Sequence, residues 1–199
     1  MGDPKRQRRK FSKPSQRWNK ERIEEEKILI TEYGLKNKEE LLREAAALRN
    51  FTNQAKKLIA VKTEQAKKEE IQLLNRLKAL GLMQTSVLED VLGLTVRNIL
   101  DRRLQSIIFK KGLAKSAKQA RQFITHGHIL VNDKKITSPG HLLLKKDEAG
   151  IGFAPRSSLF SEDHPERAKK QEKPKAKKKA KPRERKPRDK RKETRAGKK

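Results

Sequence analysis

The residues of this chain that could do chemistry are cations, hydroxyls, amides and imidazoles, and they gather in one short stretch. Between residues 99 and 128 stand Arg102, Arg103, Ser106, Lys110, Lys115, Ser116, Lys118, Gln119, Arg121, Gln122, Thr125, His126 and His128. The chain holds no cysteine, which removes thiol nucleophiles, disulfides and Cys-ligated metals. It has no GxGxxG phosphate loop either. Apart from His126 and His128, the only histidines are His141 and His164. A metal site needs more ligands than a neighbouring pair, so neither metal nor cofactor is expected. What this set suits is a phosphate backbone. A guanidinium fork grips phosphate bidentately, and Arg121 is a good candidate for that contact. An ammonium attracts phosphate as a point charge, and hydroxyls, amides and imidazole N–H groups orient it.

Two helices must carry these groups. A first is expected through residues 99–111, with Gly112 just past its end. At 100° per residue Leu100, Leu104, Ile107 and Ile108 share one face, while Arg102, Arg103, Ser106 and Lys110 share another. A second starts at Ser116, where Ser116 and Gln119 form a capping box and the free N–H groups can receive a phosphate. Ala117, Ala120, Phe123 and Ile124 mark its buried face; Lys118, Arg121, Gln122 and Thr125 mark the opposite one; Gly127 stops it. A hairpin follows, HILV–NDKK–KIT, and then Leu142–Leu144 as a further short strand. Thr125 and Asn132 read equally well as backbone caps.

The 199 residues carry 53 Lys plus Arg against 25 Asp plus Glu, a net charge of +28, and 39% of them are charged. A usual soluble domain is about 25% charged. A modest core with solvated extensions fits better than one large globule, and the charge demands a polyanion, nucleic acid before a membrane surface. No apolar run approaches the ~20 residues of a membrane helix, and no signal-peptide segment follows the basic start. Half the excess charge lies in residues 166–199, which lack Leu, Ile, Val, Phe, Trp and Tyr. That segment is expected to be a disordered basic tail. Residues 1–22 form a basic extension.

Residues 23–98 are charge-balanced and helical in pattern. IEEEKILITEYGL ends at Gly34; Asn37 opens a second helix through Ala60, with Glu40 completing a near capping box; a third spans 63–80 and stops at Gly81. Leu41, Leu42, Ala45, Leu48 and Leu58 on the second, and Ile71, Leu74, Leu77 and Leu80 on the third, supply apolar faces.

The run RRLQSIIFKKGLAKSAKQARQFITHGHILVNDKKI resembles the RNA-binding domain named after the fourth small-subunit ribosomal protein. SQRWNKERIEEEKILITEYGLKNKEELLRE, LEDVLGLTVRNILDRRLQSIIFKKGLAKS and IGFAPRSSLF are similar to the archaeal and eukaryotic branch of that family. The resemblance implies an α+β fold: an N-terminal helical domain (23–98) split around a two-helix plus β-hairpin RNA-binding module (99–148). Residues 149–165 would pack on or near the helical domain. It implies a primary binder of small-subunit ribosomal RNA that docks on a 5′-domain helical junction, nucleates assembly of the subunit body and influences decoding accuracy. Implied partners are that RNA, the fifth small-subunit ribosomal protein, other small-subunit proteins, and the mRNA where it enters the subunit, all in the cytoplasm and away from membranes. Lys115, Gln119, His126 and His128 are assigned to RNA mainly by this resemblance. Some bacterial relatives carry a zinc knuckle, which a chain without Cys lacks.

Three other classes compete. Some RNA-modifying enzymes carry the same module beside a catalytic domain, but here only amphipathic helices precede it. A DNA-compacting protein would share the Lys/Pro/Ala tail. A stress protein that binds stalled subunits would use the module without EYGLKNKEELLRE.

Overall fold

The computed structural model describes residues 10–61, 63–161 and 164–167. The sequence-expected basic extension is therefore covered only from residue 10, and the tail 168–199 lies outside the described residues. Seven helices and three short strands follow one another. α1 (Lys20–Glu32), α2 (Lys38–Ala60) and α3 (Glu64–Leu80) come first, then the short α4 (Leu88–Leu92) and α5 (Val96–Asp101). α6 (Leu104–Lys110), α7 (Ala117–Thr125), β1 (Ile129–Val131), β2 (Lys134–Lys135) and β3 (Ile151–Phe153) complete the fold. This is the α+β class that the sequence predicts. Among the described residues no helix is long and apolar enough to cross a membrane.

Local signals explain most boundaries. Asn19, Thr63 and Ser116 each accept a backbone N–H at a helix start. Gly81 closes α3 in the left-handed conformation, φ +70°. Asn37 sits at the start of α2 in extended geometry, but its side chain caps nothing, and Glu40 is not in a capping box. The Glu40 carboxylate is engaged elsewhere, as described below. Ile71, expected on the packed face of α3, is exposed, whereas Leu73 is buried with Leu74, Leu77 and Leu80.

The long helix expected through 99–111 is two helices. α5 ends at Asp101, and Arg103 is extended (φ −69°, ψ 144°) before α6 begins. The break is fixed from across the chain: Leu104 N–H donates to His141 O at 2.8 Å and Leu143 N–H to Arg102 O at 3.1 Å. Leu143 thus spends its backbone hydrogen bonds on Arg102, and residues 142–144 form a single bridge, Arg103 to Leu142, instead of a strand. The third strand is β3. It pairs antiparallel with β1, which pairs with β2 on its other edge, giving the order β2-β1-β3. Asn132 (φ 48°) and Asp133 (φ 63°) make the two-residue turn between β1 and β2, as a primed turn requires.

Three apolar clusters hold these elements. One joins α6, α7 and the sheet through Leu104, Ile108, Phe123, Ile124, Ile129 and Leu143. Phe153 and Leu159 belong to it, so β3 and the described residue Leu159 after it pack on the module. A second lies among α2, α3, α4 and α5, around Ala55, Leu77, Val91 and Ile99. A smaller third joins Leu35, Leu41 and Leu100.

Candidate nucleic-acid interface

The arginines that the sequence singles out face inward. Arg103 is buried at the kink between α5 and α6. Its Nη2 donates to Glu40 Oε2 at 3.0 Å, and its Nε lies 3.6 Å from Glu44 Oε1. Arg121 on α7 grips the same carboxylate with both ends of its fork, Nη1 to Oε2 at 3.0 Å and Nη2 to Oε1 at 2.7 Å. One α2 carboxylate therefore joins two arginines of the module. Burial pushes the Glu40 carboxyl up, but the hydrogen bonds from Arg121 and Arg103 outweigh it and hold the group below the usual carboxylate value. Glu44 goes the other way: burial raises it, and Arg103 only partly offsets that.

The remaining residues of the first basic face are also engaged. Arg102 pairs with Glu148 and donates to Leu143 O. Ser106 is buried and donates to Leu100 O at 2.6 Å. Lys110 is exposed and pairs with Asp101 at 2.9 Å. The expected outward face of Arg102, Arg103 and Ser106 is corrected by the break at 102–103, which turns Arg103 inward and ends the helical wheel on which that face was built. Gln105 is buried beside them. Its amide donates to Tyr33 O, Gly34 O and Ala117 O, tying α6 to the end of α1 and the start of α7. Tyr33 Oη donates to Asp101 at 2.9 Å; burial and that bond push the phenol well above its usual value.

On α7 the pattern is different. Lys118, Gln122 and Thr125 are exposed on one side, with His126 at the C-terminal end. Ser116 caps the helix through Gln119 N–H, and Gln119 Oε1 accepts from Lys115 N–H. Lys115 Nζ and Gln119 Nε2 reach the carbonyls of Pro165 and Glu166. His128 is half-buried; its Nδ1 lies 2.8 Å from Ser157 Oγ, and its ring meets Phe123 edge-on. The structure thus exposes Lys115 and Ser116 at the start of α7, Lys118, Gln122 and Thr125 along it, and His126 at its end. It places Arg102, Arg103, Ser106 and Arg121 in the framework beneath.

Further cations, which helical periodicity does not single out, lie nearby. Lys134 and Lys135 on β2 and Arg156 after β3 are exposed and form no ion pair among the described residues. The turn signal NDKK marks the two lysines as hairpin residues. Arg156 joins them only through the pairing of β3 with β1, which periodicity over three residues does not reveal.

The family model for the S4 domain matches residues 102–148, which takes in α6, α7, the hairpin and the kink-fixing segment. The chain is 50% identical over 161 residues to the small ribosomal subunit protein uS4 of Ignicoccus hospitalis, covering 80% of this chain and 97% of that relative. It is 48% identical over 169 residues to the uS4 of Methanococcus maripaludis strain C7, with 84% and 95% covered. The uS4 of Methanococcus vannielii is 46% identical over the same length. With identity near one half over most of both chains, this chain belongs to the uS4 family of small ribosomal subunit proteins.

Proposed function

We propose that the chain is a non-catalytic structural constituent of the small ribosomal subunit that binds its ribosomal RNA. In this reading it docks on a helical junction of the 5′ domain, nucleates assembly of the subunit body and supports decoding accuracy. It would contact the fifth small-subunit ribosomal protein and lie near the mRNA where it enters the cytoplasmic ribosome. The observation that carries the reading is the division among the cations. Arg102, Arg103 and Arg121 neutralise internal carboxylates, whereas Lys118, Lys134, Lys135 and Arg156 are exposed without ion pairs among the described residues. An exposed cation set on a satisfied framework favours an external polyanion.

The contacts proposed are Lys115, Ser116, Lys118, Gln122, Thr125, His126 and His128, with Lys110 at the margin. Arg102, Arg103, Ser106, Gln119 and Arg121 would position them. Capture runs first through phosphate attraction, then through fit. A-form helices hide their base edges in a deep narrow groove, so phosphates, 2′-hydroxyls and junction shape carry the recognition. Chemical footprinting of small-subunit ribosomal RNA with the full chain, against total RNA as competitor, tests this. A discrete protected patch at one helical junction is expected. Diffuse protection that salt erases everywhere equally would make the protein a general polyanion binder.

A further inference from the structure

Between the C-terminal end of α7, the hairpin and the segment after β3 lies an open depression of about 680 Å³. His126, His128, Lys135, Arg156 and Ser157 line it. The rings of His126 and His128 are parallel to within 10°, their centroids 6.1 Å apart. Lys135 lies across the buried Gly127, which adopts φ +74°; a Cβ there would meet Lys135 Cε at 1.9 Å. The absence of a side chain at 127 therefore lets the Lys135 side chain lie over the backbone that joins His126 to His128. The wall is built as well as the floor. Ala154 N–H donates to His128 O at 2.8 Å, and Ser157 Oγ accepts from Leu159 N–H at 3.1 Å. Ser157 Oγ lies 2.8 Å from His128 Nδ1, and where the hydroxyl donates to that nitrogen the ring hydrogen sits on Nε2.

We propose that this depression accepts a single unstacked nucleotide of the RNA, an inference that rests on the RNA-binding reading above. The exposed imidazole of His126 offers a face for the base, and His128, in the tautomer that carries its hydrogen on Nε2, a donor. Lys135 and Arg156 meet the phosphate on either side. Two cations, a flat ring and a donor around one concave site match a nucleotide better than a continuous duplex, whose bases are stacked away from reach.

An RNA duplex carrying one bulged 2-aminopurine riboside, and the same duplex fully paired, are titrated with the full chain. At about 0.3 M monovalent salt the general phosphate attraction is weakened. The bulged RNA is expected to bind roughly tenfold tighter, the scale of one base–aromatic stack, with its fluorescence quenched on binding. Both the preference and the quench are expected to vanish in His126→Ala and in the Lys135→Ala/Arg156→Ala double variant. These exposed side chains carry little of the core, and circular dichroism checks that the variants stay folded. A second readout needs no variant: a 4-thiouridine in the bulge is expected to crosslink to β2 or residues 154–158. Equal binding of the two RNAs, a quench that survives both variants, or crosslinks confined to α2–α5 would overturn the site while leaving RNA binding intact. Failure to bind either RNA at low salt would overturn the RNA reading itself.

Discussion

An arginine in this chain does one of two jobs, and its neighbours decide which. Arg103 and Arg121 share Glu40, and removing one partner of a buried pair leaves the other charge uncompensated. Arg103→Ala should therefore cost about 3 kcal/mol in urea unfolding, because the buried Glu44 would lose its ion-pair partner while Glu40 would keep only Arg121. Lys118→Ala should leave the unfolding midpoint unchanged but weaken RNA binding and reduce the log–log salt slope by about 1, as expected when one fewer phosphate is neutralised. The two carboxylates make a second, signed prediction. Glu40 titrates below its ordinary value of 4.5 in the fold, so its contribution is complete above that value and is lost as pH falls through the lower one. Glu44 is raised, so its charge opposes folding at neutral pH and acid relieves it. Glu40→Gln should make the acid loss of stability shallower, and Glu44→Gln should make it steeper, in unfolding curves taken across the acid range. Residue types alone point to a phosphate-binding chain. They did not separate inward from outward arginines, because a helical wheel assumes an unbroken helix and this one breaks at 102–103.

The elements themselves were largely legible, since caps and glycines are local signals. Thr63, Gly81, Ser116 and Gly127 stand where α3 and α7 begin and end, and Asn132–Asp133 makes the expected tight turn. What stayed hidden depended on distant partners. Residues 142–144 read as a strand, but Leu143 bonds to Arg102 and Leu142 bridges Arg103, while Ile151–Phe153 takes the edge of β1. Two substitutions separate position from function at a helix start. Ser116→Ala should cost about 1 kcal/mol, because its hydroxyl caps α7, whereas Asn37→Ala should cost little, because its side chain makes no cap bond. Thermal melts of the pair decide this. Gly34 has φ +60°, and a Cβ there would lie 3.1 Å from both Ala117 Cβ and Lys118 N. Gly34→Ala should destabilise by about 1–3 kcal/mol through strain and overpacking where α1 meets α7.

At the scale of the whole molecule, the helical region and the module are fastened by polar groups as well as by packing: Glu40 and Glu44 to the arginines, Gln105 to three carbonyls, Tyr33 to Asp101. The exposed cations are thereby held on a fixed frame. If about six phosphates are neutralised, the affinity should fall with salt at a log–log slope of roughly −5, measured by titration at several ionic strengths. The pairing of β3 with β1 has a practical corollary for dissecting the protein. The S4 domain match ends at residue 148, three residues before that strand begins. A fragment cut at that boundary would bare the backbone edge of β1 and uncover the apolar surface beneath Phe153 and Leu159, the combination that invites strand-to-strand aggregation.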